Sequence, residues 1–160
     1  MSKHTGTHKQ RNRRQYAEES FERTWSHVYG TWVRSGWSYP EWDEGTQVGR
    51  DLHGLTASQP DYYAKSGDAL FHVEVKGGVD RFNAINHRWN NTVEWARFLP
   101  EQTIAYLYNS AREEYLLIDA LTLGRANDGR STKEYHDGGF YYEWTWFDLE
   151  ELAIDKGVSM

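Results

Sequence analysis

Apolar residues recur at helical spacing in two segments of the chain, residues 15–34 and residues 81–98. A period of 3.6 residues places such positions on one side of a helix, where they can be buried. The first stripe comprises Phe21, Trp25, Val28, Tyr29, Trp32 and Val33. The second comprises Ile85, Trp89, Val93 and Ala96. We therefore predict an amphipathic helix for each segment.

Strict alternation of apolar and polar residues predicts a β-strand, and it is clearest over residues 70–76. Phe71, Val73 and Val75 would form the apolar face of this strand, and Glu74 and Lys76 would project from the other. Further predicted elements are one or two strands within 36–59, strands at 103–108, 115–118 and 139–146, a polar loop over 121–139 and a helix over 148–154.

Two short motifs flank the turn that should precede this strand. Pro60 and Asp61 come before Gly67, and Glu74 and Lys76 follow it. We expect Pro60 and Asp61 to end one strand and a turn at Gly67 to bring them opposite Glu74. Two carboxylates would then converge beside an ammonium group. The two carboxylates can hold a hard divalent cation, while the lysine orients or activates a water molecule.

The motif formed by Pro60, Asp61, Glu74 and Lys76 resembles that of the PD-(D/E)xK nuclease superfamily. This superfamily includes restriction endonucleases and phage and archaeal Holliday-junction resolvases. The resemblance implies an α/β fold with a restriction-endonuclease-like core, in which helices flank a mixed sheet in the order αβββαβ. The alternative is an exposed hairpin with an ordinary cross-strand Glu/Lys pair, worth roughly a few tenths of a kcal/mol.

The resemblance also implies an activity and a set of site residues. It implies a Mg²⁺-dependent deoxyribonuclease, with Mn²⁺ as a substitute, whose metal is held by Asp61, Glu74 and the carbonyl of Val75. Lys76 would act on the attacking water. Many resolvase-like members carry a further metal-binding glutamate in the first helix. Glu22 fits that place best and Glu18 is the second choice, although a glutamate here can also simply cap or solvate the helix.

Charge is distributed unevenly along the 160-residue chain. Residues 1–14 hold five basic and no acidic residues, whereas the whole chain has 18 basic and 24 acidic ones. We predict that residues 1–14 form a flexible basic arm and that residues 15–160 form one nuclease domain. Predicted contacts to DNA phosphates are Lys3, Lys9, Arg11, Arg13 and Arg14 in the arm, with Asn86 and Arg88 in the second helix. The alternative for the arm is a solubilising tail.

Composition narrows the setting in which this activity would operate. The chain has no cysteine, which excludes disulfides and thiolate metal sites, and no apolar run as long as a membrane span. We expect a cytoplasmic protein, in the host cytoplasm if it is phage-encoded. By resemblance to resolvases, it would act on branched or recombination DNA and could form a homodimer. The alternatives are a catalytically silent nucleic-acid-binding domain of the same fold and a protein-interaction domain.

Overall fold

The computed structural model describes residues 8–35, 60–82, 85, 89–136 and 138–160. The helices are α1 (His8–Thr24), α2 (Trp89–Phe98), α3 (Ala120–Asn127) and α4 (Trp146–Glu150), and a π-helical turn (Trp25–Tyr29) continues α1. The strands are β1 (Thr31–Arg34), β2 (Tyr62–Ser66), β3 (Ala69–Gly78), β4 (Arg81–Phe82), β5 (Gln102–Asn109), β6 (Glu114–Asp119), β7 (Thr132–Glu134), β8 (Phe140–Tyr142), β9 (Trp144–Thr145) and β10 (Asp155–Val158).

Six strands form one sheet in the order β1-β2-β3-β5-β6-β10. β3 and β5 run parallel, and every other neighbouring pair in this sheet is antiparallel. α1 packs on one face, whereas α2 and α3 pack on the other. The prediction of an α/β fold with a mixed sheet flanked by helices is therefore confirmed.

The apolar stripe of α1 explains how this helix is fixed on the sheet. Ala17, Phe21 and Trp25 are four residues apart, and all three are buried. The ring of Phe21 lies 4.5 Å from that of Tyr62 on β2 and 5.3 Å from that of Tyr106 on β5. Offset and edge-on aromatic pairs of this kind add about 0.5–1.5 kcal/mol each to the effect of burial. The backbone of α1 is thus anchored beside the start of β2.

The first helix differs from the prediction at both ends. It begins at His8 rather than at residue 15, so residues 8–14 of the predicted arm are helical. The helical conformation ends before Gly30, and residues 31–34, predicted to be helical, form β1 instead. A Cβ atom at Gly30 would lie 2.1 Å from the carbonyl oxygen of Lys65, so only glycine permits this close approach. Pairing with β2 then overrides the helical pattern.

Other predicted boundaries were also wrong. The second helix begins at Trp89 rather than at residue 81, and β4 precedes it. The predicted loop over 121–139 contains α3, whose first turn is capped by the Asp119 carboxylate accepting from the Thr122 amide. It also contains β7. The predicted strand over 139–146 is divided into β8 and β9, because Trp146 already begins α4.

Two predictions on organisation can be compared only in part with the structure. No helix in the described part of the chain has the length and apolar character needed to cross a membrane. The strands predicted within 36–59 lie outside the described residues. β10 had no counterpart in the sequence prediction, because its residues do not alternate in polarity.

Candidate metal centre

The β2–β3 hairpin brings Asp61 and Glu74 together, as the sequence predicts. Gly67 adopts a positive φ of 59° in the turn, and Tyr62 pairs with Val73. Asp61 precedes Tyr62 by one residue, so this register places it opposite Glu74. Contrary to prediction, Asp61 lies at the start of β2 rather than at the end of an earlier strand. Its carbonyl still accepts from the amide of Ser35, which extends the pairing of β1 with β2.

A backbone hydrogen bond fixes the orientation of the Asp61 carboxylate. The amide of Val75 donates to Asp61 Oδ2 over 2.9 Å, which leaves Oδ1 available to other partners. Asp61 is only 14% exposed, so its position is well defined by its surroundings. The described contact of Val75 in the site is therefore through its amide. A metal contact through the Val75 carbonyl stays a prediction.

Glu74 is the most perturbed carboxyl group of the site. It projects beside Lys76 on the same face of β3, and Glu74 Oε1 lies 3.5 Å from Lys76 Nζ. Burial, and then the negative charge of Asp61, raise the pKa of Glu74 to about 8, against the opposing effects of Lys76 and Arg14. The positive charges of the protein only partly offset the effects that raise this pKa. A carboxyl group with so strongly raised a pKa is typical of a functional site.

The two candidate glutamates of α1 have different partners. Glu22 accepts hydrogen bonds from the Tyr62 hydroxyl at 2.6 Å and from Arg34 Nη2 at 2.8 Å. Glu18 accepts from Arg34 Nη1 at 2.9 Å, and it is close enough to Asp61 for that charge to act on it. Burial is the main cause that raises the pKa of Glu18, and the Asp61 charge adds to it. Of the two helix glutamates, Glu18, the second choice, is thus the one on which the Asp61 charge acts, whereas Glu22 is engaged by both Tyr62 and Arg34.

Sequence reasoning missed three cationic or polar contacts at this site. Arg14, assigned to the arm, places Nη2 3.9 Å from Asp61 Oδ1. Arg34 bridges Glu18 and Glu22 from β1. The contact of Arg34 with the two glutamates could not be predicted from the sequence, because β1, the strand that positions Arg34, was predicted to be helical.

A second polar pair lies on the same sheet face as Glu74. His72 Nε2 lies 3.2 Å from Glu101 Oε2, while the buried His72 Nδ1 has no hydrogen-bond partner among the described residues. Thr103 pairs with His72 across β3 and β5, and its buried hydroxyl likewise finds no partner in the described part of the chain. Neither residue was singled out from the sequence. His72 and Thr103 therefore continue the row of polar side chains on this face of the sheet beyond Glu74.

The donor set fits a hard divalent cation in its chemistry, but its side chains are directed toward cationic partners. Asp61 and Glu74 supply oxygen atoms at one point; burial, and second the Asp61 charge, raise the pKa of Glu74, and a bound cation would oppose both effects. Yet in the described ranges no three His, Asp or Glu side chains are grouped as a ready metal site. Instead, Asp61 faces Arg14 and Glu74 faces Lys76.

The predicted DNA contacts can be placed only in part. Lys9, Arg11 and Arg13 belong to the first turns of α1, before Arg14. Lys3, Asn86 and Arg88 lie outside the described residues. No model of a known protein family matches the sequence, and a comparison with curated proteins finds no significant match.

Proposed function

We propose that this protein is a divalent-metal-dependent DNA endonuclease of the PD-(D/E)xK type. The observation that carries the proposal is the convergence of Asp61 and Glu74 beside Lys76, with Glu74 only 13% exposed. The chain order supports the related fold: α1, β1, β2, β3, α2 and β5 follow one another as in the αβββαβ core, with the two-residue β4 intervening.

Asp61, Glu74 and Glu18 would hold Mg²⁺, or Mn²⁺ in its place, and the carbonyl of Val75 would assist. When bound, the ion offsets the negative charge that develops on the phosphate during hydrolysis. The amide of Val75 orients the Asp61 carboxylate for this task. Glu22, which is already engaged by Tyr62 and Arg34, would instead position the helix against β1 and β2.

Lys76 would act on the attacking water. Its ammonium group lies beside Glu74 and is partly exposed, so a water molecule could bind next to both. As the water oxygen bonds to phosphorus, the bond from phosphorus to the 3′ oxygen breaks. The water gives up a proton and the leaving oxygen takes one up, so that the products carry 5′-phosphate and 3′-hydroxyl ends.

The substrate in this proposal is branched or recombination DNA, as for phage-type resolvases. Lys9, Arg11 and Arg13 precede Arg14 in the sequence of α1, so these basic residues belong to the same helix as Arg14. Together with Lys3, Asn86 and Arg88, they would bind phosphates and make binding sensitive to salt. The proposal includes a cytoplasmic location, that of the host if the protein is phage-encoded, and it allows a homodimer.

A catalytically silent nucleic-acid-binding domain is the second candidate. It is favoured by one observation, the pairing of each central carboxylate with a cationic side chain of the protein itself. Such pairing can satisfy the site without any metal. The two candidates differ in whether a divalent cation can replace these partners.

A plasmid-nicking assay separates the two candidates. We expect wild-type protein to nick supercoiled DNA with Mg²⁺ or Mn²⁺, to bind DNA without cleaving it in Ca²⁺, and to be inactive in EDTA. Asp61→Asn should be inactive, whereas Asp68→Asn, on the exposed turn of the same hairpin, should retain full activity. Cleavage in excess EDTA, or equal cleavage by Asp61→Asn, would exclude the proposed chemistry.

A further inference from the structure

Arg14, near the start of α1, brings its guanidinium group to the carboxylate pair. It precedes Glu18 by one helical turn, and its Nη2 lies 3.9 Å from Asp61 Oδ1. Its charge also acts on Glu18 and Glu74. Three carboxylates, on α1, at the start of β2 and on β3, therefore share one arginine.

We propose that Arg14 is a catalytic residue of this site. In the metal-free protein it serves as the counter-ion beside Asp61, and after a divalent cation takes that place it binds the reacting phosphate. This inference rests on the proposed nuclease function and adds to it a residue and an order of events.

The Arg14 side chain is held loosely. The 3.9 Å separation exceeds hydrogen-bonding distance, the side chain is 43% exposed, and the described part of the chain offers it no closer acidic partner. Arg34 provides the contrast, because it donates two hydrogen bonds of 2.9 and 2.8 Å to Glu18 and Glu22. Arg34 is thus fixed in its place, whereas Arg14 can leave at little cost.

Opposite charges are nearly balanced around Asp61. Four carboxyl groups and three cationic side chains meet in this part of the structure. They are Asp61, Glu74, Glu18 and Glu22 against Lys76, Arg14 and Arg34. Burial raises the pKa of Glu74 and favours its protonated form, so these side chains carry either no net charge or one negative charge. With a divalent cation bound, the balance would be positive in either case, and like-charge repulsion would act most strongly on the least constrained partner, Arg14.

A released Arg14 side chain would still act within the site. The neighbouring turn of α1 is fixed by buried Ala17 and Phe21, so the Cα of Arg14 stays within side-chain reach of the site. A guanidinium group binds phosphate oxygens through paired N–H donors, which suits the charge that develops on the phosphate as the P–O3′ bond breaks. Arg14 would thus neutralise Asp61 in the metal-free protein and stabilise the transition state in the metal-bound protein.

Two measurements on Arg14→Gln test this inference, with Arg97→Gln on α2 as the matched loss of one arginine charge. Arg97 is 64% exposed and pairs with Glu94 within its own helix. Mn²⁺ binding to the DNA-free protein should become about threefold tighter in Arg14→Gln, because a competing cation is gone. Single-turnover cleavage at saturating DNA and metal should fall about 100-fold. Arg97→Gln should match wild type in both measurements.

A third variant, Arg14→Lys, separates charge from geometry. It should bind Mn²⁺ as wild type does, because the competing charge remains, yet cleave at least about tenfold more slowly without the paired donors. Unchanged or weaker Mn²⁺ binding by Arg14→Gln, or cleavage at the wild-type rate, would overturn the role of Arg14. Absence of cleavage by the wild-type protein itself would instead overturn the nuclease proposal, and the Mn²⁺ titration would still report on Arg14.

Discussion

Replacing Glu74 by glutamine should stabilise the metal-free protein at alkaline pH. Burial and the nearby charge of Asp61 raise the pKa of this carboxyl group to about 8, from an ordinary value of 4.5. The folded protein therefore retains a proton over a pH range in which the unfolded chain has released it. Glutamine keeps the size of the side chain and removes this ionisation altogether.

Proton linkage gives the sign and the magnitude of the effect. Between about pH 4.5 and pH 8 the folded state binds more protons than the unfolded state, so the free energy of unfolding falls as pH rises. The contribution of the neutral carboxyl group is fully present below the unfolded pKa and is lost as pH passes the folded pKa. A tenfold change in an ionisation constant corresponds to about 1.4 kcal/mol, so the loss between an unfolded pKa of 4.5 and a folded pKa of about 8 is on the order of 5 kcal/mol.

The attraction between Lys76 and the ionised carboxylate is already contained in this pKa, because it opposes the effects of burial and of the Asp61 charge. Glutamine resembles the neutral carboxyl group, so no separate cost for the ion pair is subtracted. We therefore expect Glu74→Gln to be more stable than wild type by roughly 3–5 kcal/mol at pH 9, and by no more than about 1 kcal/mol at pH 5.

Urea unfolding in EDTA at pH 5, 7 and 9 measures this difference. The control is Glu94→Gln, because Glu94 is half-exposed on α2, pairs with Arg97 and is not one of the carboxylates of the site. Its stability should follow that of wild type at every pH. A difference between Glu74→Gln and wild type that stays constant from pH 5 to pH 9 would refute the reasoning.

Three further predictions concern the neighbouring residues. Asp61→Asn should abolish Mn²⁺ binding in calorimetry and leave the circular dichroism spectrum unchanged, because its amide oxygen can still accept the backbone hydrogen bond. Glu18→Gln should slow cleavage at least about tenfold, and more than Glu22→Gln does; the opposite order would return Glu22 to the metal. Gly78→Ala should lower the thermal midpoint, since its methyl group would lie 2.6 Å from the Phe82 ring; an unchanged midpoint would show that the strand end shifts freely.

The carboxylate pair was predictable because its geometry is local. Alternation along β3 and a glycine turn suffice to place Asp61 opposite Glu74, and neither depends on distant parts of the chain. The parallel pairing of β3 with β5 sets the site on a sheet, and the apolar runs of β5 and β6 already indicated these strands. For such elements the sequence pattern and the tertiary structure agree.

The remainder of the site depends on contacts that no local pattern encodes. Glu18 and Glu22 are one helical turn apart, so only the position of Arg34 on β1 and the hydroxyl of Tyr62 distinguish them. That strand forms because Gly30 packs against the backbone of Lys65, which a helical periodicity cannot reveal. The approach of Arg14 to Asp61 likewise requires α1 to extend beyond residue 15.

Single-turnover DNA cleavage by Lys76→Met, with Mn²⁺ binding measured on the same preparation, tests the central claim most directly. Methionine keeps the unbranched shape of the side chain and removes the ammonium group beside Glu74. We predict that the variant binds Mn²⁺ at least as tightly as wild type, yet cleaves at least about 100-fold more slowly in Mg²⁺. Cleavage at the wild-type rate, or a wild-type protein that binds Mn²⁺ and leaves DNA intact, would contradict the account.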